Sequence, residues 1–107
     1  MKIISSKIHA ILDYVVAIFL IVAPNLIDLS DFATNFSMTL GVIHFILTLV
    51  TIFKGGVTKL VPFPIHGIIE LIVSLTLMVL AFTVFGKNKT DHFYFACLAV
   101  AILSVYI

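Results

Sequence analysis

Ile65–Phe85 reads IHGIIELIVSLTLMVLAFTVF, apolar throughout apart from His66, Glu70 and a few small or hydroxyl side chains. A helix needs roughly 17–25 such residues to cross the hydrocarbon of a bilayer, and this run suffices. Three further runs approach that length: Ile8 to Pro24, Phe36 to Phe53, and His92 to Ile107, the last being short. The pattern predicts an all-α fold. It is a four-helix transmembrane bundle forming a single domain over residues 1–107.

Composition agrees. The chain is 63% hydrophobic and 10% charged, with a mean hydropathy of +1.32. A soluble domain must cover its surface with polar groups, and this chain has too few. The net charge is +1 and the six basic residues are all lysines, without a basic stripe, so nucleic acid is set aside as a partner. The expected partner is the lipid bilayer, with a homo-oligomer left open. No Ser or Cys stands at a recognisable spacing from a base, and no glycine-rich phosphate loop is present, so nothing supports nucleophilic catalysis and an enzymatic role is left uncertain. Cys97 is the only cysteine, which excludes an intrachain disulfide. Its apolar surroundings predict a buried, inert thiol.

Boundary signals support the spans. Ser5 and Ser6 suit the cap of helix 1, and Pro24 ends or kinks it. Lys54-Gly55-Gly56 is the expected stop of helix 2. Pro62 and Pro64 precede helix 3, and Thr90 or Asp91 is the expected cap of helix 4. Lys2 and Lys7 before an apolar run imitate a signal peptide. Asp13 within that run, and the three runs that follow, favour an uncleaved first span. Lys2, Lys7, Lys54 and Lys59 lie on one side, against Lys87 and Lys89 on the other, which predicts cytoplasmic termini. Tyr14, Tyr94, Tyr106, Phe93 and Phe95 are expected mostly as anchors at the membrane boundary.

The two halves match at an offset of 57. His9-Ala10-Ile11-Leu12-Asp13 answers to His66-Gly67-Ile68-Ile69-Glu70, and Ala17 and Pro24 answer to Ser74 and Ala81. With one residue of slip, Leu40-Gly41-Val42 answers to Leu98-Ala99-Val100. The expected domain plan is therefore repeat 1 over about 1–56 and repeat 2 over about 57–107. Each repeat holds two spans, an even number, so the repeats enter the membrane in the same sense and are parallel. His9-x-x-x-Asp13-Tyr14, Ala23-Pro24-Asn25, Val61-Pro62 and His66-x-x-x-Glu70 together resemble the SPW-repeat membrane proteins of bacteria. That resemblance covers nearly the whole chain. It implies paired spans and a multi-pass protein of the bacterial cytoplasmic (inner) membrane, and it implies no particular activity.

His9 and Asp13 share a helix face, as do His66 and Glu70. Ionisable groups inside a span are costly and turn toward the bundle interior or water. Asp13 and Glu70 lie on small-residue stripes (Ala10, Ala17; Gly67, Ser74) suited to helix contacts. The candidate metal site is therefore His9, Asp13, His66 and Glu70, near the cytoplasmic side. Imidazole and carboxylate suit a divalent ion such as zinc, or a proton relay. The competing reading is a pair of structural clasps holding the repeats together. The functional expectation follows the same division: a structural or accessory membrane protein, or a small proton- or divalent-metal-linked transporter or metal-binding protein. Ser37, Gly41, His44, Thr48 and Thr51 form a small, polar stripe on helix 2, read as a close-packing face with one hydrogen-bonded histidine. A haem ligand at His44 ranks last. His92 is expected as a wet interfacial residue.

Overall fold

Ser5 opens the first helix by accepting a hydrogen bond from the Ile8 amide at 3.3 Å, the capping role its position predicts. The computed structural model describes residues 5–52 and 60–106. These residues are helical in the main, forming four helices: α1 (Ser6–Val22), α2 (Asp31–Val50), α3 (Phe63–Phe82) and α4 (Lys89–Tyr106). Pro24 sits in a 3₁₀ turn, Ala23–Asn25, directly after α1. This is where its missing amide and fixed φ end a helix.

Several helix boundaries differ from expectation, and local contacts account for the larger shifts. Helix α2 starts at Asp31, not Phe36, because the Ser30 hydroxyl accepts from the Ala33 amide and caps it. It ends at Val50, not Phe53, where Thr51 turns extended (φ −81°, ψ 142°). The expected Lys54-Gly55-Gly56 stop lies outside the described residues. Helix α3 ends at Phe82, not Phe85. Thr83 leaves the helix and the Phe85 amide turns back to the Leu80 carbonyl. Helix α4 is capped by neither Thr90 nor Asp91: the Asn88 carboxamide accepts from both of their amides, at 2.9 and 3.1 Å. A two-residue parallel bridge pairs Thr51 with Val61 and Ile52 with Pro62, joining the end of α2 to the start of α3.

α1 packs on α2 and α3 on α4, as two hairpins. The first closes tightly because Gly41 lies against Leu20, Ile21 and the Ala17 carbonyl. Leu20, Leu77, Phe85, Phe95 and Ile102 belong to one apolar core, with Phe85 stacked on Phe95 at 4.1 Å. There the Ser37 hydroxyl donates to the Leu20 carbonyl and accepts from Tyr94 at 2.7 Å. The Asp91 carboxylate accepts from both the amide and the hydroxyl of Ser30. Tyr94 and Phe95 are thus core residues linking α4 to α2, not boundary anchors. Their positions on α4 share the inward face with Leu98 and Ile102. Cys97, expected to be buried, falls on the opposite face and is exposed. His92 is half-buried and donates from Nδ1 to the Ala81 carbonyl.

The distribution of polarity is inverted relative to a soluble bundle. His9, Asp13, His44, His66, Glu70 and Asp91 are buried, whereas Ile11, Val15, Ile18, Ile43, Ile46, Ile68, Ile72 and Val79 face outward. Such continuous apolar surface suits lipid and not water. Among the described residues three helices are long and apolar enough to cross a membrane: Lys7–Asn25, Asp31–Val50 and Phe63–Phe82. Their mean hydropathies are 1.8, 1.6 and 2.2. α2 and α3, of 20 residues each, measure about 30 Å at 1.5 Å per residue, the thickness of the hydrocarbon layer. α4 is set apart by its polar first turn, which carries Lys89, Asp91 and His92.

Candidate metal centre

His9 and Asp13 stand on the first turns of α1, and His66 and Glu70 on the first turns of α3. The 3.6-residue period turns each pair inward together. The two pairs meet, so the starts of α1 and α3 lie at the same end of the bundle. Each histidine reaches across to the acid of the other hairpin: His9 Nε2 is 2.9 Å from Glu70 Oε1, and His66 Nε2 is 2.9 Å from Asp13 Oδ2. Within each helix the pairs are slightly longer, 3.1 Å for His9–Asp13 and 3.4 Å for His66–Glu70. No apolar layer separates the pairs. All four residues are buried, and one ligand atom from each lies within 4.8 Å of the others. Burying ionisable groups is costly unless they are paired, and each of these four has a partner of the other type within 3.1 Å.

Two residues outside the expected set join it from α2. His44 Nε2 lies 3.6 Å from Asp13 Oδ1 and 3.9 Å from Glu70 Oε2. The expected close-packing face is present, but the His44 ring nitrogen that faces the acids makes no hydrogen bond among the described residues. Thr51, at the end of α2, places its hydroxyl 2.7 Å from His66 Nδ1 and 2.6 Å from the Leu47 carbonyl. That carbonyl can only accept, so the single hydroxyl proton belongs to it. Thr51 therefore accepts from His66 Nδ1–H. Phe63 closes one side of the cluster, edge-on to His9 at 5.2 Å between ring centroids. The α2 stripe was visible in the sequence as Ser37, Gly41, His44, Thr48 and Thr51, all of which are buried or, at Gly41, in close helix contact. What sequence alone did not supply was the rotation of α2 that aims His44 at the two acids.

The geometry suits a metal ion. Two donors each about 2.1 Å from one ion lie about 3.0–4.2 Å apart for angles from 90° to 180°. Four of the six nitrogen–oxygen spacings, 3.1 to 3.9 Å, fall in that range, and the two at 2.9 Å are hydrogen-bond distances. Three buried atoms, Asp13 Oδ1, His44 Nε2 and Glu70 Oε2, have no hydrogen-bond partner among the described residues. Buried polar atoms without a hydrogen bond are rare in native proteins, and a bound ion or an ordered water is what satisfies them. Together the sequence and geometry define a helical chain of membrane-protein character with a buried histidine–carboxylate group able to hold a metal. The chain matches no family model, no curated protein and no solved structure.

Proposed function

We propose that this chain is a multi-pass protein of the bacterial cytoplasmic membrane that holds one divalent metal ion, such as zinc, between its two hairpins. In this reading all four helices span, both termini face the cytoplasm, and the hairpins are parallel repeats of the SPW-repeat kind. The ion sits near the cytoplasmic ends of α1 and α3, bound by His9, Asp13, His66 and Glu70. The observation that carries the reading is that three buried polar atoms without a hydrogen bond among the described residues converge on that one cluster. A structural or accessory role follows better than conduction, because Leu20, Leu77, Phe85 and Phe95 fill the bundle on the far side of the cluster.

The cross-hairpin contacts at 2.9 Å favour a second reading, a metal-free polar clasp. Unfolding of the detergent-solubilised protein separates the two. Zinc at 100 times its dissociation constant stabilises a specific site by about 2.7 kcal/mol. The wild type should show that gain, and Asp13→Asn with Glu70→Gln should not. Equal response of both proteins to zinc and to a chelator would leave only the clasp.

A further inference from the structure

The metal reading leaves two features unexplained: a third imidazole aimed at the acids, and a threonine bonded to the far nitrogen of His66. His44 Nε2 is buried and has no hydrogen-bond partner among the described residues, yet it faces one oxygen of each carboxylate. Its spacings of 3.6 and 3.9 Å exceed the usual hydrogen-bond range of about 2.7–3.2 Å. They match instead the separation of donors that share one ion. The oxygens it faces, Asp13 Oδ1 and Glu70 Oε2, are the other two atoms without partners.

Thr51 fixes the proton on His66 Nδ1. Because its hydroxyl proton goes to the Leu47 carbonyl at 2.6 Å, it takes the Nδ1 proton of His66 at 2.7 Å. In the neutral imidazole this leaves the lone pair on Nε2, the atom that faces Asp13 and Glu70. With a metal bound, that lone pair is free to coordinate; without one, a second proton on Nε2 donates to Asp13 across the same 2.9 Å. An outer hydrogen bond that fixes the coordinating tautomer is the usual support of a histidine ligand.

We propose that His44 is a further ligand, completing three imidazoles and two carboxylates, and that the site thereby takes a divalent transition ion and rejects Mg²⁺ and Ca²⁺. Thr51 is the positioning residue that holds His66 in its coordinating form. This rests on the metal reading above and names its ion class. Imidazole donors suit zinc, nickel, copper and iron, whereas Mg²⁺ and Ca²⁺ take oxygen ligands. Asp13 and Glu70 alone would make an oxygen site open to the hard ions; the three nitrogens remove that option.

The test is titration of the full chain in detergent with Co²⁺, Zn²⁺, Mg²⁺ and Ca²⁺. The Co²⁺ d–d spectrum reports the ligand set. Wild type should bind Co²⁺ with Zn²⁺ competing and a large excess of Mg²⁺ or Ca²⁺ not competing. His44→Gln should change the band positions and weaken Co²⁺ by about tenfold or more, and Thr51→Val should weaken it by about 10–100-fold. Thr51→Ser, which keeps the hydroxyl, should restore it. Far-ultraviolet circular dichroism checks that each variant retains its helices. Binding of Co²⁺ by His44→Gln with the wild-type spectrum and affinity would overturn the ligand assignment while leaving the metal site standing. Competition by Mg²⁺ would overturn the selectivity. Failure of wild type to bind any of the four ions would remove the metal reading itself.

Discussion

Replacing Gly41 by alanine puts a methyl carbon 2.8 Å from Leu20 Cβ, 2.8 Å from Ile21 Cγ1 and 2.9 Å from the Ala17 carbonyl oxygen. Carbon atoms rest at about 3.5–4.0 Å, so α1 and α2 must part by roughly 0.7 Å. Two of the three obstacles, a Cβ and a backbone oxygen, cannot swing aside. Overpacking of this kind costs about 1–3 kcal/mol. Alanine recovers about 0.8–1.0 kcal/mol of helix propensity. Gly67 is the internal control. A Cβ there meets Tyr106 Cε1 at 3.6 Å, an ordinary contact, so Gly67→Ala should gain the propensity term without the clash. The two variants should therefore differ by about 1–3 kcal/mol, with Gly41→Ala the less stable. Reversible unfolding in mixed detergent micelles, followed by circular dichroism, measures the difference. Equal stabilities would refute the close approach of α1 and α2 at Gly41.

The same assay reaches the other contacts that join the hairpins. Asp91→Ala removes the charged acceptor of the Ser30 amide and hydroxyl and should cost about 1.5–3 kcal/mol; a loss near zero would contradict the cap-to-cap link. Tyr94→Phe should cost only about 0.5–1.5 kcal/mol, because Ser37 keeps its bond to the Leu20 carbonyl. Glu70→Ala leaves the His9 cross-contact broken inside the bundle and should cost about 3–5 kcal/mol in the absence of metal. Faster hydrogen exchange in the first turns of α1 and α3 is the accompanying sign, and unchanged exchange would argue against the cross-hairpin contact.

The sequence was informative wherever one face of one helix decided the outcome. His9-x-x-x-Asp13 and His66-x-x-x-Glu70 set each histidine and acid on a common face, and both faces are indeed buried together. Which histidine meets which acid was not legible, because the cross-pairing depends on how far apart the two helix axes settle. His44 was underrated for the same reason: a single histidine in an apolar helix fixes a face but not its target. Tyr94 and Phe95 were misread because aromatic residues near a span end serve equally as anchors and as core. Only the inward neighbours Leu98 and Ile102 distinguish the two. Helix ends drifted where caps came from afar, as when Ser30 is itself held by Asp91. No local pattern announces a cap supported from 61 positions away.

Zinc-edge X-ray absorption on protein purified without chelator tests the central claim most directly. The account predicts one ion per chain, surrounded only by nitrogen and oxygen at about 2.0–2.2 Å. Imidazole scattering should be present, and the signal should vanish when Asp13→Asn and Glu70→Gln are combined. A substoichiometric metal that dialyses away, or an identical spectrum from the double variant, would contradict it.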